Sequence, residues 1–253
     1  SKFKLKGHGF QLVNVTSHIR LEEVKVWSQG SHPSFQMLRG QPEVHVEGSI
    51  FDGSAIQIKD PVDLTLNVRG NTQFHGGQRA IDVHGGEGHG SQVDLQDVKI
   101  SYPSEHGVLI FRWSGLANVK LDNIQIYGGV VGAELHAKHL IAKKVDISHS
   151  QTGILLYGGE AELEAVKMKN VGKGLKAWSA FRAKDLEISE AKTAIDFLQD
   201  HPSQANGVSI SDCSVAVDCY ACDSLSLDDV LIAGNVKALE SHWGRNFQTA
   251  SGL

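Results

Sequence analysis

The sequence predicts an all-β fold: a single-stranded, right-handed parallel β-helix solenoid of about ten turns, with three strands in each turn. The first observation is an apolar pattern of two residue pairs, each with the strand spacing i, i+2, separated by two residues. This pattern recurs about every 22 residues, a period typical of solenoids. Clear copies begin at Ile19, Val93, Val119, Leu140, Ala161, Phe181, Val208 and Leu225, with weaker copies near residues 44 and 64.

The second observation concerns the two-residue break inside each copy. The extra residue interrupts the strand alternation, which predicts a corner between two short strands. Residues that favour turns stand at this break, because their side chains hydrogen-bond to their own backbone. They are Asp97, Asn123, Asp185, Asp212 and Asp229.

The third observation is a further strand after each pair, with the pattern small, apolar, variable, apolar, variable. Examples are residues 107–111, 153–157 and 194–198. Alternate side chains of a strand face opposite sides, so equivalent residues of successive turns form inward and outward columns. We predict that Ile110, Leu135 and Leu156 are fully buried and stacked in one inward column.

With three strands per turn and no helical stretch between them, the chain resembles the pectin-lyase-like superfamily of parallel β-helices over roughly residues 19–243. The resemblance implies a single domain over 1–253, with an N-terminal cap over 1–18 and a tail over 244–253. The superfamily contains polysaccharide lyases, glycoside hydrolases, epimerases, tailspikes and adhesins, and a shared fold does not choose among them. The residue motifs of its hydrolase and epimerase families are missing or out of order here.

Composition limits the partners. The formal net charge is −5, which disfavours nucleic acid as a partner. No stretch approaches the roughly 20 apolar residues of a membrane-spanning helix, so no membrane span is expected. The cysteines are Cys213, Cys219 and Cys222, which we interpret as buried thiols; the Cys219-x-x-Cys222 spacing leaves a redox or metal pair as the alternative. We expect no dedicated metal site.

One outward column of the third strands is rich in rings. It contains His84, Phe111, His136, Tyr157, Trp178, Leu198, Tyr220 and His242. Contiguous exposed apolar side chains usually mark a binding surface, and aromatic faces stack on sugar rings. The column therefore predicts a polysaccharide-binding stripe, with an interface to a protein or a second copy, or merely good strand formers, as the alternatives.

The adjacent outward column ends in carboxylates. It contains Gln57, Asp82, Leu109, Glu134, Leu155, Lys176, Asp196, Asp218 and Glu240. Stacked like charges repel, so we expect either a raised pKa among Asp196, Asp218 and Glu240 or a cation bound between them. Carboxylates one or two turns apart would also suit a glycoside hydrolase.

A second cluster lies in the middle of the chain. Glu134 and His136 share one strand, Arg112 and Trp113 lie one turn before, and Tyr157 and Lys176 follow. A lyase or epimerase acting on a uronate needs a base and a cation that stabilises the enolate. His136 or Tyr157 could be the base, and Arg112 or Lys176 the cation.

The sequence thus predicts a secreted or cell-surface β-helix that binds a polysaccharide or other glycan along the ring stripe. A hydrolase, lyase or uronan epimerase is the alternative, and a scaffold with the stripe as a homo-oligomer interface is the second alternative. The candidate catalytic residues are Glu134, His136, Tyr157, Asp196 and Asp218. The candidate substrate-binding residues are His84, Phe111, Arg112, Trp113, Trp178, Lys176, Tyr220 and Glu240.

Overall fold

The computed structural model describes residues 2–6, 10–29, 33, 35–53, 56–86, 90–111, 117–199, 201–220, 224–234 and 237–241. These residues form an all-β solenoid of about nine turns, in which every strand pair is parallel. No helix occurs over these ranges, and hence none that is long and apolar enough to cross a membrane. The predicted fold class is confirmed.

The short strands of the first turns are β1 (Lys2–Lys6), β2 (Phe10–Val15), β3 (His18–Glu22), β4 (Lys25–Gln29), β5 (Phe35–Gly40), β6 (Glu43–Glu47), β7 (Ile50–Asp52), β8 (Ile56–Lys59), β9 (Thr65–Arg69), β10 (Thr72–His75) and β11 (Arg79–His84). Later strands run continuously through corners. They are β12 (Gln92–Ser101), β13 (His106–Phe111), β14 (Ala117–Tyr127), β15 (Val131–Ser148), β16 (Thr152–Ala177), β17 (Phe181–Phe197), β18 (Ser203–Ser211), β19 (Val215–Cys219), β20 (Leu225–Ala233) and β21 (Lys237–Ser241).

Each turn contributes one strand to each of three parallel sheets. We call these sheets the first-strand, second-strand and third-strand faces, after the order of the strands within a turn. The first-strand face follows the register β3–β6–β9 and continues through the first half of β12. The second-strand face follows β4–β7–β10 and the second half of β12. The third-strand face follows β5–β8–β11–β13–β15. The outward columns predicted from the sequence lie on the third-strand face.

The corner between the first and second strands has the predicted chemistry. Asp97, Asn123 and Asp185 have φ values of 54°, 55° and 54°, in the left-handed region that short polar side chains tolerate. Lys144 and Ala165 take the same place in two other turns, with φ of 51° and 53°. The corner therefore constrains the backbone more strictly than it constrains the side chain.

One repeat was assigned to the wrong strands. Val208 and Ile210 pair with Leu186 and Ile188 on the second-strand face, whereas the sequence pattern placed them on a first strand. Gly207, with φ of 66°, turns the first corner of this repeat, and Asp212 stands at the next corner. The apolar pattern is the same on both sides of a corner, so it does not distinguish the two strands.

The predicted inward column of Ile110, Leu135 and Leu156 is confirmed, and buried phenylalanines such as Phe51 and Phe74 complete the interior. Ile110, Leu135 and Leu156 are in register and 0%, 1% and 1% exposed. The small residue that opens each third strand is required by packing. A Cβ atom on Gly132 would lie 2.6 Å from the Gly153 carbonyl oxygen.

The first strands of the chain and one cysteine differ from expectation. Because β1 pairs with β4 and β2 with β5, the coils begin before residue 19. The predicted tail lies outside the described residues. Cys213 is a buried thiol, as predicted, but Cys219 is disulfide-bonded and not a thiol. Cys222 lies outside the described residues.

Candidate functional site

Five predicted side chains form a continuous row of contacting rings on the third-strand face. The centroid distances are 5.1 Å from His84 to Phe111, 4.4 Å from Phe111 to His136, 4.4 Å from His136 to Tyr157 and 6.0 Å from Tyr157 to Trp178. The Lys176 ammonium lies 5.9 Å from the centre of the Trp178 ring. We call these five residues the ring ladder.

The ring ladder is half-buried, whereas the sequence predicted an exposed stripe. Successive turns are about 4.8 Å apart, close to the preferred separation of paired rings, so equivalent rings contact one another. Their faces are therefore largely occupied, and a ligand at this surface meets ring edges and polar tips. Tyr220, further along the column, is 51% exposed. Arg112, Trp113 and His242 lie outside the described residues.

Glu134 lies beside the ladder and connects two imidazoles. His106 Nε2 is 3.0 Å from one carboxylate oxygen, and His136 Nε2 is 3.2 Å from the other. These hydrogen bonds, first that of His106 and then that of His136, lower the pKa of Glu134 from 4.5 to about 2. An ionised carboxylate only accepts hydrogen bonds, so both imidazoles carry their proton on Nε2.

His106 was not among the predicted site residues. It stands at the start of β13, in register with Val131, and reaches Glu134 from the preceding turn. Its Nδ1 atom is buried and has no hydrogen-bond partner in the described part of the chain. The sequence indicated part of this cluster, because the Glu-x-His spacing of Glu134 and His136 places both side chains on one face of a strand. It did not indicate His106.

The Glu134 carboxylate should make stability depend on pH between about 4.5 and 2. Because its folded-state pKa lies below its ordinary value, its contribution is fully present above pH 4.5 and is lost as pH falls towards 2. The parent should therefore lose stability relative to the Glu134→Gln variant as the pH falls from 4.5 to 2. The difference between their free energies of unfolding should decrease by up to about 3 kcal/mol. Urea titrations at several pH values measure it, and a constant difference would contradict the assignment.

Tyr157 is poorly suited to the role of a base. Burial, and next the charge of Glu134, raise its pKa above the ordinary value of 10.0. The phenol therefore stays protonated and acts as a hydrogen-bond donor or acceptor. Of the two bases predicted for this cluster, His136 is the one that the geometry favours.

In the adjacent outward column, which contains the predicted carboxylates, the side chains nearest the N-terminus are linked by hydrogen bonds. Gln36 donates to Gln57 at 2.5 Å, and Gln57 donates to the buried Asp82 at 2.7 Å. Arg79 connects Asp82 to Glu105, with a distance of 3.0 Å to each carboxylate. The charge of Asp82 is thus compensated by a guanidinium of its own strand.

The three carboxylates near the C-terminal end are stacked as predicted: Asp196 is in register with Asp218, and Asp218 with Glu240. Lysines lie beside the outer two. Lys173 Nζ is 2.5 Å from Asp196, and Lys237 Nζ is 2.9 Å from Glu240. Asp196 is only 2% exposed, which argues against contact with a substrate. The described residues include no group of three or more His, Cys, Asp or Glu side chains arranged to hold a metal ion.

A concave surface also lies on the first-strand face, away from the predicted site residues. A pocket of about 360 Å³ is lined by Arg20, His45, Asn67 and Arg69 among others. His45 belongs to a second His–Glu–His cluster: Glu43 lies 2.5 Å from His18 and 2.8 Å from His45. Both clusters contain Glu-x-His on one strand and a histidine from the preceding turn.

No protein-family model matches the sequence, and a search of curated proteins gave no match either.

Proposed function

We propose that this protein binds a polysaccharide along its third-strand face. The observation that carries the proposal is the ring ladder, a row of five rings on successive turns. At about 4.8 Å per turn the row is roughly 19 Å long, enough for several sugar residues of a linear polymer. Ring edges, the Tyr157 hydroxyl and the Lys176 ammonium then offer apolar and polar contacts side by side.

The Glu134 carboxylate beside the ladder is held in place by His106 and His136. These side chains are thus fixed before a ligand arrives, and such preorganisation lowers the cost of binding. The disulfide at Cys219 is of a kind that persists in oxidising compartments, which supports secretion or display on the cell surface.

Trp178→Ala should weaken polysaccharide binding by roughly 1 kcal/mol, the low end of the range for base–aromatic stacking, because one face of the indole lies against Tyr157. Because the indole stacks on Tyr157 and is half-buried, a stability loss of about 1–2 kcal/mol should accompany it. Binding is measured by titration calorimetry below the melting temperature, on hits from a panel of mannan, β-glucan, galactan, alginate and polygalacturonate. The control is Trp27→Ala, which removes a 37% exposed indole from the second-strand face.

Three outcomes would count against this proposal. Unchanged affinity in Trp178→Ala would show that the ring ladder is not the binding site. If no polysaccharide of the panel binds, the proposed function is wrong. A parent protein that sediments as a stable oligomer, and a Trp178→Ala variant that sediments as a monomer, would make the ladder a subunit interface.

The second candidate is a lyase or epimerase acting on a uronate polymer. It is favoured by the contact between Glu134 and His136, because a carboxylate that accepts the Nε2 proton leaves Nδ1 of a neutral imidazole as the basic atom. The same panel separates the two functions. A lyase would generate unsaturated products that absorb in the near ultraviolet from alginate or polygalacturonate, and His136→Ala would abolish that signal.

A further inference from the structure

A left-handed backbone position recurs at the corner between the second and third strands. Nine residues with positive φ occupy it in successive turns: Gly53, Gly76, Tyr102, Gly128, His149, Asn170, Glu190, Asp212 and Gly234. Glycine, asparagine and aspartate tolerate this region, whereas a bulky side chain is unusual there. Tyr102, with φ of 57°, is therefore held in a conformation that its side chain disfavours.

The rings at this corner are exposed. Tyr102 is 68% exposed and Tyr127 is 39% exposed. The Tyr102 and Tyr127 rings meet edge to face at 5.0 Å and 72°, and the Tyr127 and His149 rings lie 4.4 Å apart. We call these three residues the corner platform. The edge-to-face contact with Tyr127 covers at most one face of the Tyr102 ring, which is the more exposed of the two tyrosine rings.

Hydroxyl groups flank the corner platform. Tyr127 is in register with Ser101 in the preceding turn and with Ser148 in the following one. Ser101 also contacts the His75 ring nitrogen at 2.6 Å. Open aromatic faces beside hydroxyl and imidazole groups match the two sides of a sugar ring, its apolar C–H face and its hydroxyl rim.

We propose that the corner platform is a stacking site for a sugar residue of the bound polysaccharide. This inference rests on the proposed function and deepens it, because it assigns the stacking contact to Tyr102 and Tyr127. The platform lies at the corner where the third strands begin, and the ring ladder lies near the other end of these strands. In β15, for example, Val131 and His136 are roughly 16 Å apart along the strand. A sugar chain that passes from the second-strand to the third-strand face can therefore contact both.

A sugar fits the platform better than a protein partner does. Specific protein interfaces bury about 800 Å² per partner around an apolar centre. Here three rings with polar tips lie among serines, and the other large exposed apolar side chain described nearby is Val130, which is 39% exposed.

The test is Tyr102→Gly. Glycine adopts positive φ without penalty, so the variant should melt at the same temperature as the parent or higher, while the affinity for the panel polysaccharide that binds falls roughly tenfold. The matched control is Glu190→Gly, which makes the same backbone change at the equivalent corner of another turn and should leave affinity unchanged.

The outcomes separate this inference from the proposed function. If Tyr102→Gly binds like the parent while Trp178→Ala binds more weakly, the corner platform is not a sugar site and the ring ladder remains one. If Tyr102→Gly binds more weakly and Trp178→Ala does not, stacking occurs at the corner alone. If no polysaccharide in the panel binds the parent, both are wrong.

Discussion

Leu135→Asp is expected to abolish cooperative folding. Leu135 is 1% exposed and stacked between Ile110 and Leu156 in the inward column. A carboxylate placed there would be surrounded by aliphatic side chains, and burying it ionised or protonated costs several kcal/mol. That penalty is comparable to the total stability of many domains, about 5–15 kcal/mol. The lost packing of the leucine adds to it.

Circular dichroism and thermal melting measure this effect. The matched control is Lys138→Asp, which introduces the same residue on the same strand, β15, at an exposed position. The control should melt within a few degrees of the parent. A Leu135→Asp variant that melts like the parent would mean that β15 has the opposite inward and outward faces.

Gly132→Ala should have the second largest effect. A Cβ atom there would lie 2.6 Å from the Gly153 carbonyl oxygen and 2.6 Å from Cγ2 of Ile147. The carbonyl belongs to the next turn and cannot move without displacing that strand. We therefore expect a loss of about 3 kcal/mol, at the upper end of the usual range for overpacking.

Ala194→Gly is the matched control for Gly132→Ala. Ala194 opens a third strand as Gly132 does, and it is fully buried. Its change to glycine should cost only about 1 kcal/mol, because it adds chain flexibility and removes one methyl group. Equal losses in the two variants, measured by urea unfolding, would show that the crowding at Gly132 is relieved by small shifts.

The fold was predictable from the sequence because its determinants are local and repeated. The alternation of the third strands gave the inward column of Leu135 and the outward ring ladder in the correct register. The strand assignment near Val208 was wrong because both strands beside a corner have the same apolar alternation. There a glycine, Gly207, supplies the left-handed residue in place of aspartate.

The site was less predictable, since periodicity places residues on a face but does not give side-chain partners. His106 and Glu134 lie on neighbouring turns but are not in register, because His106 is in register with Val131. Comparing equivalent positions of successive turns therefore did not predict their contact. Burial of Asp196 and its pairing with Lys173 also depend on side-chain conformation. The exposed ring of Tyr102 was missed because it follows the second strand, outside the third-strand columns from which the site was predicted.

Hydroxyl-radical footprinting tests most directly whether a polysaccharide binds along the third-strand face. Oxidation of Tyr157 and Trp178 would be measured by mass spectrometry with and without a saturating amount of the polysaccharide that binds, with Trp27 as the internal reference. We predict that oxidation falls at Tyr157 and Trp178 and stays constant at Trp27. Unchanged oxidation at Tyr157 and Trp178 while the polysaccharide is bound would contradict binding at the ring ladder.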